Sequence, residues 1–182
     1  MALYDVTSGL LAPVEPTSFV TEKVLERKHL QVALRANVSL LPADLMVLSE
    51  EFGEFAEANR RIDLLCLDRS GRLVVVELKR TEDAGHVELQ ALRYAAMVST
   101  MTMADVESAL RRHLKSIGED PDDAEQRLID WLSDVDMTET PVPTRDVRIV
   151  LVAQGFDKQI TSTVLWLNDI YGLDIRCVRL IP

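Results

Sequence analysis

The chain has 182 residues, is 47% hydrophobic and 27% charged, and carries a net charge of -10. That balance excludes a disordered chain and fits one folded domain of ordinary size. No apolar run approaches the roughly 18 residues that cross a bilayer, so no membrane partner is expected, and the N-terminus lacks the basic and apolar regions of a secretory signal. The charge is uneven. Residues 118–141 hold nine acids and one base, Arg127, while the remainder holds 21 acids and 19 bases. The acidity is therefore local, and reads as a solvated helix face or as a surface for a basic partner.

Residues 1–18, with Pro13 and Pro16, show little pattern and read as a loosely ordered lead-in. Apolar residues at Phe19, Val20, Val24, Leu30, Val32, Ala33 and Leu34 then suit a helix of about 17 residues, ended by Asn37 and Pro42. LMVLSEEF (45–52) alternates as a strand. Residues 61–80, RIDLLCLDRSGRLVVVELKR, read as two strands around a turn. A helix is expected from Asp83 to Thr100, with Leu89, Leu92, Ala96 and Met97 as its apolar stripe. Helical patterns at 103–117 and 121–134 form an acidic helical insertion over about 101–141. Pro141 and Pro143 break the chain. VRIVLVAQGF is a buried-type strand, a helix over about 159–171 closes at Gly172, and LDIRCVRLI is a last strand. This order implies an α/β fold: a mixed sheet with helices on both faces, over residues 19–182. Ending directly after a strand, it suits the N-terminal part of a longer protein. Cys66 and Cys177 both lie in strand-like apolar runs and read as buried, reduced thiols of a cytoplasmic protein, with a disulfide or metal pair as the alternative.

The stretch 61–80 poses a chemical problem. Asp63 and Glu77 sit within its apolar arms, and Lys79 follows two residues later. If Asp68 and Arg72 flank a three-residue loop, Gly71 takes its left-handed position. Asp63 then falls opposite Glu77, with Cβ atoms about 4.5–5.5 Å apart. Lys79 projects from the same face. Two carboxylates so close repel, and burial worsens the repulsion. Lys79 supplies one compensating charge, and a divalent cation such as Mg²⁺ the rest. An ordinary exposed ion pair is the competing reading, but Leu65, Leu67, Leu73 and Val75 share the parity of these charges and want a core.

Asp63 with Glu77-Leu78-Lys79 resembles the PD-(D/E)xK nuclease superfamily. GRIDLL-like and VVVELKR segments followed by Gln90 and Tyr94, a Q-x-x-x-Y spacing, are similar to the nuclease domain of mismatch-cleaving endonucleases of archaea and actinobacteria, and to related restriction-type domains. Ile62 stands where the naming proline would be. The resemblance implies a restriction-endonuclease-like three-layer fold with an αβββαβ core. It implies a metal-dependent endonuclease hydrolysing DNA, in restriction, defence or repair. Asp63, Glu77 and the Leu78 backbone carbonyl would bind Mg²⁺ or Mn²⁺. Glu26, with Glu22 as competitor, would hold a second ion or an outer water. Lys79 would orient or deprotonate water, or stabilise charge, and Gln90 would position water or phosphate. Tyr94 serves packing or chemistry.

Arg60, Arg61, Arg80 and Arg93 border this face as phosphate contacts or as solvated charges. His29, His86 and His113 are scattered, without partners at ligand spacing. Trp131 and Trp166 sit at helical apolar positions, in a core or an interface. A catalytically inactive module of the same fold, binding DNA or a partner protein, is the alternative function. A homodimer or an additional domain is compatible with either.

Overall fold

The computed structural model describes residues 3–7, 9–15, 17–42, 44–53, 61–80, 87–135 and 142–182. Arg60, His86 and the expected helix start at Asp83 lie outside the described residues. Within them, β1 (Leu3–Thr7) and β2 (Leu10–Val14) form a two-stranded antiparallel hairpin. The described part of the lead-in is thus a ribbon, with Tyr4, Val6, Leu10 and Leu11 exposed.

The expected first helix is shorter than the apolar pattern suggests. Residues 18–24 turn, with Lys23 in the left-handed region at φ 55°. A π-helical segment, Glu26–Gln31, then leads directly into α1 (Val32–Ala36). Left-handed backbone at a lysine cannot propagate a right-handed helix, so Val20 is left exposed while Phe19, Leu30 and Leu34 are buried.

The centre is a five-stranded sheet ordered β3 (Leu45–Phe52), β4 (Ile62–Asp68), β5 (Arg72–Lys79), β6 (Thr144–Ala153), β7 (Ile175–Arg179). The first three strands pair antiparallel and the last three parallel. β4 and β5 are covered on both faces, which explains apolar runs without alternation. One face, with Leu65, Leu67, Leu73, Val75 and Leu151, packs under α2 (Val87–Val98), α3 (Met103–Ser116), α4 (Ala124–Trp131) and α5 (Lys158–Tyr171). The other, with Leu64, Cys66, Val74, Val76 and Leu78, packs under Leu30 and Leu34. This is the expected α/β three-layer arrangement, with the αβββαβ order.

Three sequence expectations change. The buried stripe of α2 is Val87, Ala91, Tyr94, Ala95 and Val98, whereas Leu89 and Met97 are exposed. Small residues let the helix approach the sheet, and the bulkier ones are left outside. The acidic helical region shows more than a solvated face: Val106, Leu110 and Leu114 of α3, with Leu128 of α4, belong to the main core. Cys66 is buried but Cys177 is exposed, because β7 is an edge strand. Among the described residues, no helix is long and apolar enough to cross a membrane.

Candidate active site

The site begins with a turn. Asp68 Oδ1 accepts hydrogen bonds from the N–H of Ser70 (2.9 Å), the hydroxyl of Ser70 (2.6 Å) and the N–H of Arg72 (3.0 Å). Gly71 has φ 79°, a conformation that glycine adopts without Cβ strain. The turn sets the register Leu67–Leu73, Cys66–Val74, Leu65–Val75 and Leu64–Val76. One step further, Asp63 stands across from Glu77.

The regular β4–β5 ladder stops at Leu64–Val76. Beyond it, the N–H of Leu78 donates to Asp63 Oδ2 at 2.8 Å. A side-chain carboxylate has taken the position of a ladder acceptor. Glu77 is fully buried, and its Oε2 accepts from Gln90 Nε2 of α2 at 2.8 Å. Its Oε1 is buried with no hydrogen-bond partner among the described residues. Burial, and then the neighbouring Asp63 charge, push the Glu77 carboxyl up to about 8, with Lys79 and the Asp63 N–H pulling the other way. Burial likewise raises Asp63 to about 6, against the Leu78 N–H and Lys79.

Lys79 Nζ lies 3.7 Å from Glu26 Oε1, and the other Glu26 oxygen accepts from the N–H of Arg80 at 3.1 Å. The π-helical segment therefore delivers Glu26 to the end of β5. Glu22 instead accepts from the Thr17 hydroxyl at 2.6 Å, away from these groups. Tyr94, on the inner face of α2, is buried in the main core. Arg61 and Arg93 are exposed and Arg80 is half-buried. His29 Nδ1 accepts from the N–H of Leu25 (2.9 Å), which makes it part of a local turn. Trp131 lies under the Arg69 guanidinium, 3.7 Å from the ring centre, while Trp166 is exposed and meets Tyr171 edge-on.

Sequence reading overlooks Glu51. A bulge between Val47 and Ser49 shifts the β3–β4 register, so that Glu50 pairs with Leu64 and Phe52 with Ile62. Glu51 is thereby placed across from Asp63, on the side away from Glu77. Its charge adds to the upward push on Asp63, and Arg27 pairs with it at 3.1 Å. The SEEF motif was the available signal, but without the bulge Glu50 would hold that position.

A groove of about 330 Å³ begins here, lined by Glu51, Gly53, Arg61, Arg112, His113 and Ser116 among others. Arg61 lies across Gly53, where a Cβ would meet its Cγ at 2.8 Å. His113 is buried, and loss of solvent lowers its pKa, which favours the neutral imidazole.

Two solved structures match this chain. One is a repair endonuclease from Pyrococcus abyssi, at TM-score 0.45 and 17% identity, over 84% of this chain and 46% of that one. The other is an EndoMS–dsDNA2 complex, at TM-score 0.38 and 18% identity, over 85% and 46%. The chain spans less than half the length of either. No family model and no curated protein matches it.

Proposed function

We propose that this chain is a metal-dependent endonuclease that hydrolyses DNA phosphodiester bonds, in restriction, defence or repair. The observation that carries the reading is the buried Glu77 carboxylate, one oxygen bare, beside a second buried carboxylate. An unsatisfied buried polar atom costs about 1–3 kcal/mol, and more when charged. A divalent cation offsets both the bare oxygen and the repulsion. Asp63, Glu77 and the Leu78 carbonyl fit a hard cation such as Mg²⁺ or Mn²⁺, with Glu26 toward a second ion or an outer water. Among the described residues, no three His, Cys, Asp or Glu converge as a ligand cluster. A carbonyl and waters must therefore complete the shell, as is usual for Mg²⁺.

When bound, such an ion supplies charge neutralisation at the phosphate and a lowered pKa for water. The chain's own residues do the rest. Lys79, held beside Glu26, presents an ammonium that orients the attacking water or donates to a phosphate oxygen. Gln90 fixes the Glu77 carboxylate through its amide. Arg61, Arg80, Arg93 and Arg60 take flanking phosphates, which contribute affinity without sequence choice.

The test is incubation of the protein with duplex, single-stranded and branched DNA in Mg²⁺, Mn²⁺ or EDTA, beside Lys79→Ala and Glu77→Ala. Metal-dependent cleavage lost in Lys79→Ala, with Mn²⁺ binding lost in Glu77→Ala, supports the proposal. Mn²⁺ binding without cleavage of any DNA form favours the non-cutting module. Cleavage undiminished in both variants overturns the assignment.

A further inference from the structure

On the far end of α3 from Arg112 and Ser116, a second groove of about 290 Å³ opens between α3 and α4. It is lined by the apolar Met103, Leu128, Ile129 and Leu132 and by the acids Glu107 and Glu125. Leu128 and Leu132 are buried, but Ile129 is 57% exposed on a helix that also exposes Glu125, Gln126 and Asp130.

The surrounding charge is one-sided. Residues 118–135 carry Glu119, Asp120, Asp122, Asp123, Glu125, Asp130 and Asp134 against the single base Arg127. That base is engaged by Glu119 at 2.6 Å and Asp123 at 3.4 Å. Arg111, the neighbouring base of α3, is engaged by Glu107 and Asp122, each at 2.8 Å. Residues 116–157 contain no lysine. The lobe thus uses its few cations internally, and the groove itself is lined by two carboxylates, Glu107 and Glu125, and by no base.

Anionic ligands are repelled by such a lining, which removes nucleic acid as an occupant. The volume sits at the lower limit of small-ligand pockets and suits a single large apolar side chain. Charge complementarity and the slot together define the remaining class. We propose that the α3–α4 groove docks a basic amphipathic helical segment of a partner protein. One apolar side chain enters beside Ile129, and flanking Lys or Arg residues meet Glu125, Asp130 and their neighbours. Helices recognised in grooves use this division between apolar anchors and a charged surround. The proposal is independent of phosphodiester hydrolysis.

The experiment is fluorescence anisotropy with three labelled helical peptides of roughly 14 residues: a Leu/Lys amphipathic peptide, its Leu-to-Ser counterpart, and a Leu/Glu counterpart. Each is titrated with the full chain, with Ile129→Ser, and with the double variant Glu125→Lys, Asp130→Lys. All three positions are exposed, and melting curves check that each variant is folded. Expected is saturable one-to-one binding of the Leu/Lys peptide. It weakens about tenfold or more in either variant and with the Ser peptide, and the Leu/Glu peptide does not bind. Equal binding of the Leu/Lys and Ser peptides, or binding indifferent to Ile129→Ser, overturns the proposal as plain charge adsorption. So does a lack of saturable Leu/Lys binding, or a self-association in sedimentation that Ile129→Ser abolishes.

Discussion

Replacing Glu77 by glutamine keeps the shape of the side chain and removes its charge. In the metal-free protein Glu77 is fully buried, and burial with the Asp63 charge raises its carboxyl from 4.5 to about 8. The folded state therefore holds a proton that the unfolded chain releases between those values. Stability falls as pH rises through that window, by about 1.4 kcal/mol per pH unit. At pH 8 the ceiling is roughly 4 kcal/mol, and part of it is shared with Asp63, whose protonation relieves the same repulsion. Glu77→Gln should thus stabilise the protein by about 2 kcal/mol at pH 8 in EDTA, or roughly 4–8 °C in Tm for a chain of this size. At pH 5 Glu77 is already protonated in the fold and the two proteins should melt together. Thermal and urea unfolding from pH 5 to pH 8.5 reads both values. Added Mn²⁺ should raise the Tm of the parent only, by mass action. A glutamine variant less stable than the parent at pH 8, or a difference that ignores pH, refutes the claim that the two acids form a strained pair.

Gly53→Ala should displace Arg61, whose Cγ lies 2.8 Å from the added Cβ. DNA affinity should fall several-fold, and the slope of log K against log salt should flatten by about one, with Tm unchanged. Asp68→Ala should cost about 1–3 kcal/mol in urea unfolding. It opens the turn and removes the more distant of two carboxylates on the buried Arg148, whose Nη1 lies 3.3 Å from Asp68 Oδ2 while its Nε keeps Asp174 at 2.6 Å. Gly71→Ala should lose about 1–2 kcal/mol, because φ is 79° and Val142 already stands 3.0 Å from the new Cβ. Unfolding of that variant at the parent's midpoint would show that the turn tolerates a side chain.

Much of the architecture was legible from alternation and punctuation. The β4–β5 register followed from a glycine turn between two apolar runs, because a one-residue slip would have turned Leu65 and Val75 out of the core. The first helix was misjudged because apolar spacing at Phe19 and Val20 carries no sign of left-handed Lys23. The face of α2 was misjudged because its contact with the sheet depends on Ala91 and Ala95, whose small size matters more there than hydrophobicity. Acid content concealed the core role of α3 and α4 for a similar reason: their exposed faces dominate the count, while Leu110 and Leu128 carry the packing.

The amino-acid order alone determined that Asp63, Glu77 and Lys79 meet on one side of a ribbon, since strand parity and a tight turn are local properties. Only the folded chain decided what surrounds them. The bulge at Leu48 selected Glu51 over Glu50 as the neighbour of Asp63, the π-helical segment selected Glu26 over Glu22, and α2 laid Gln90 on one Glu77 oxygen and left the other bare. These choices depend on how separate elements slide and rotate against the sheet, and no local pattern encodes that.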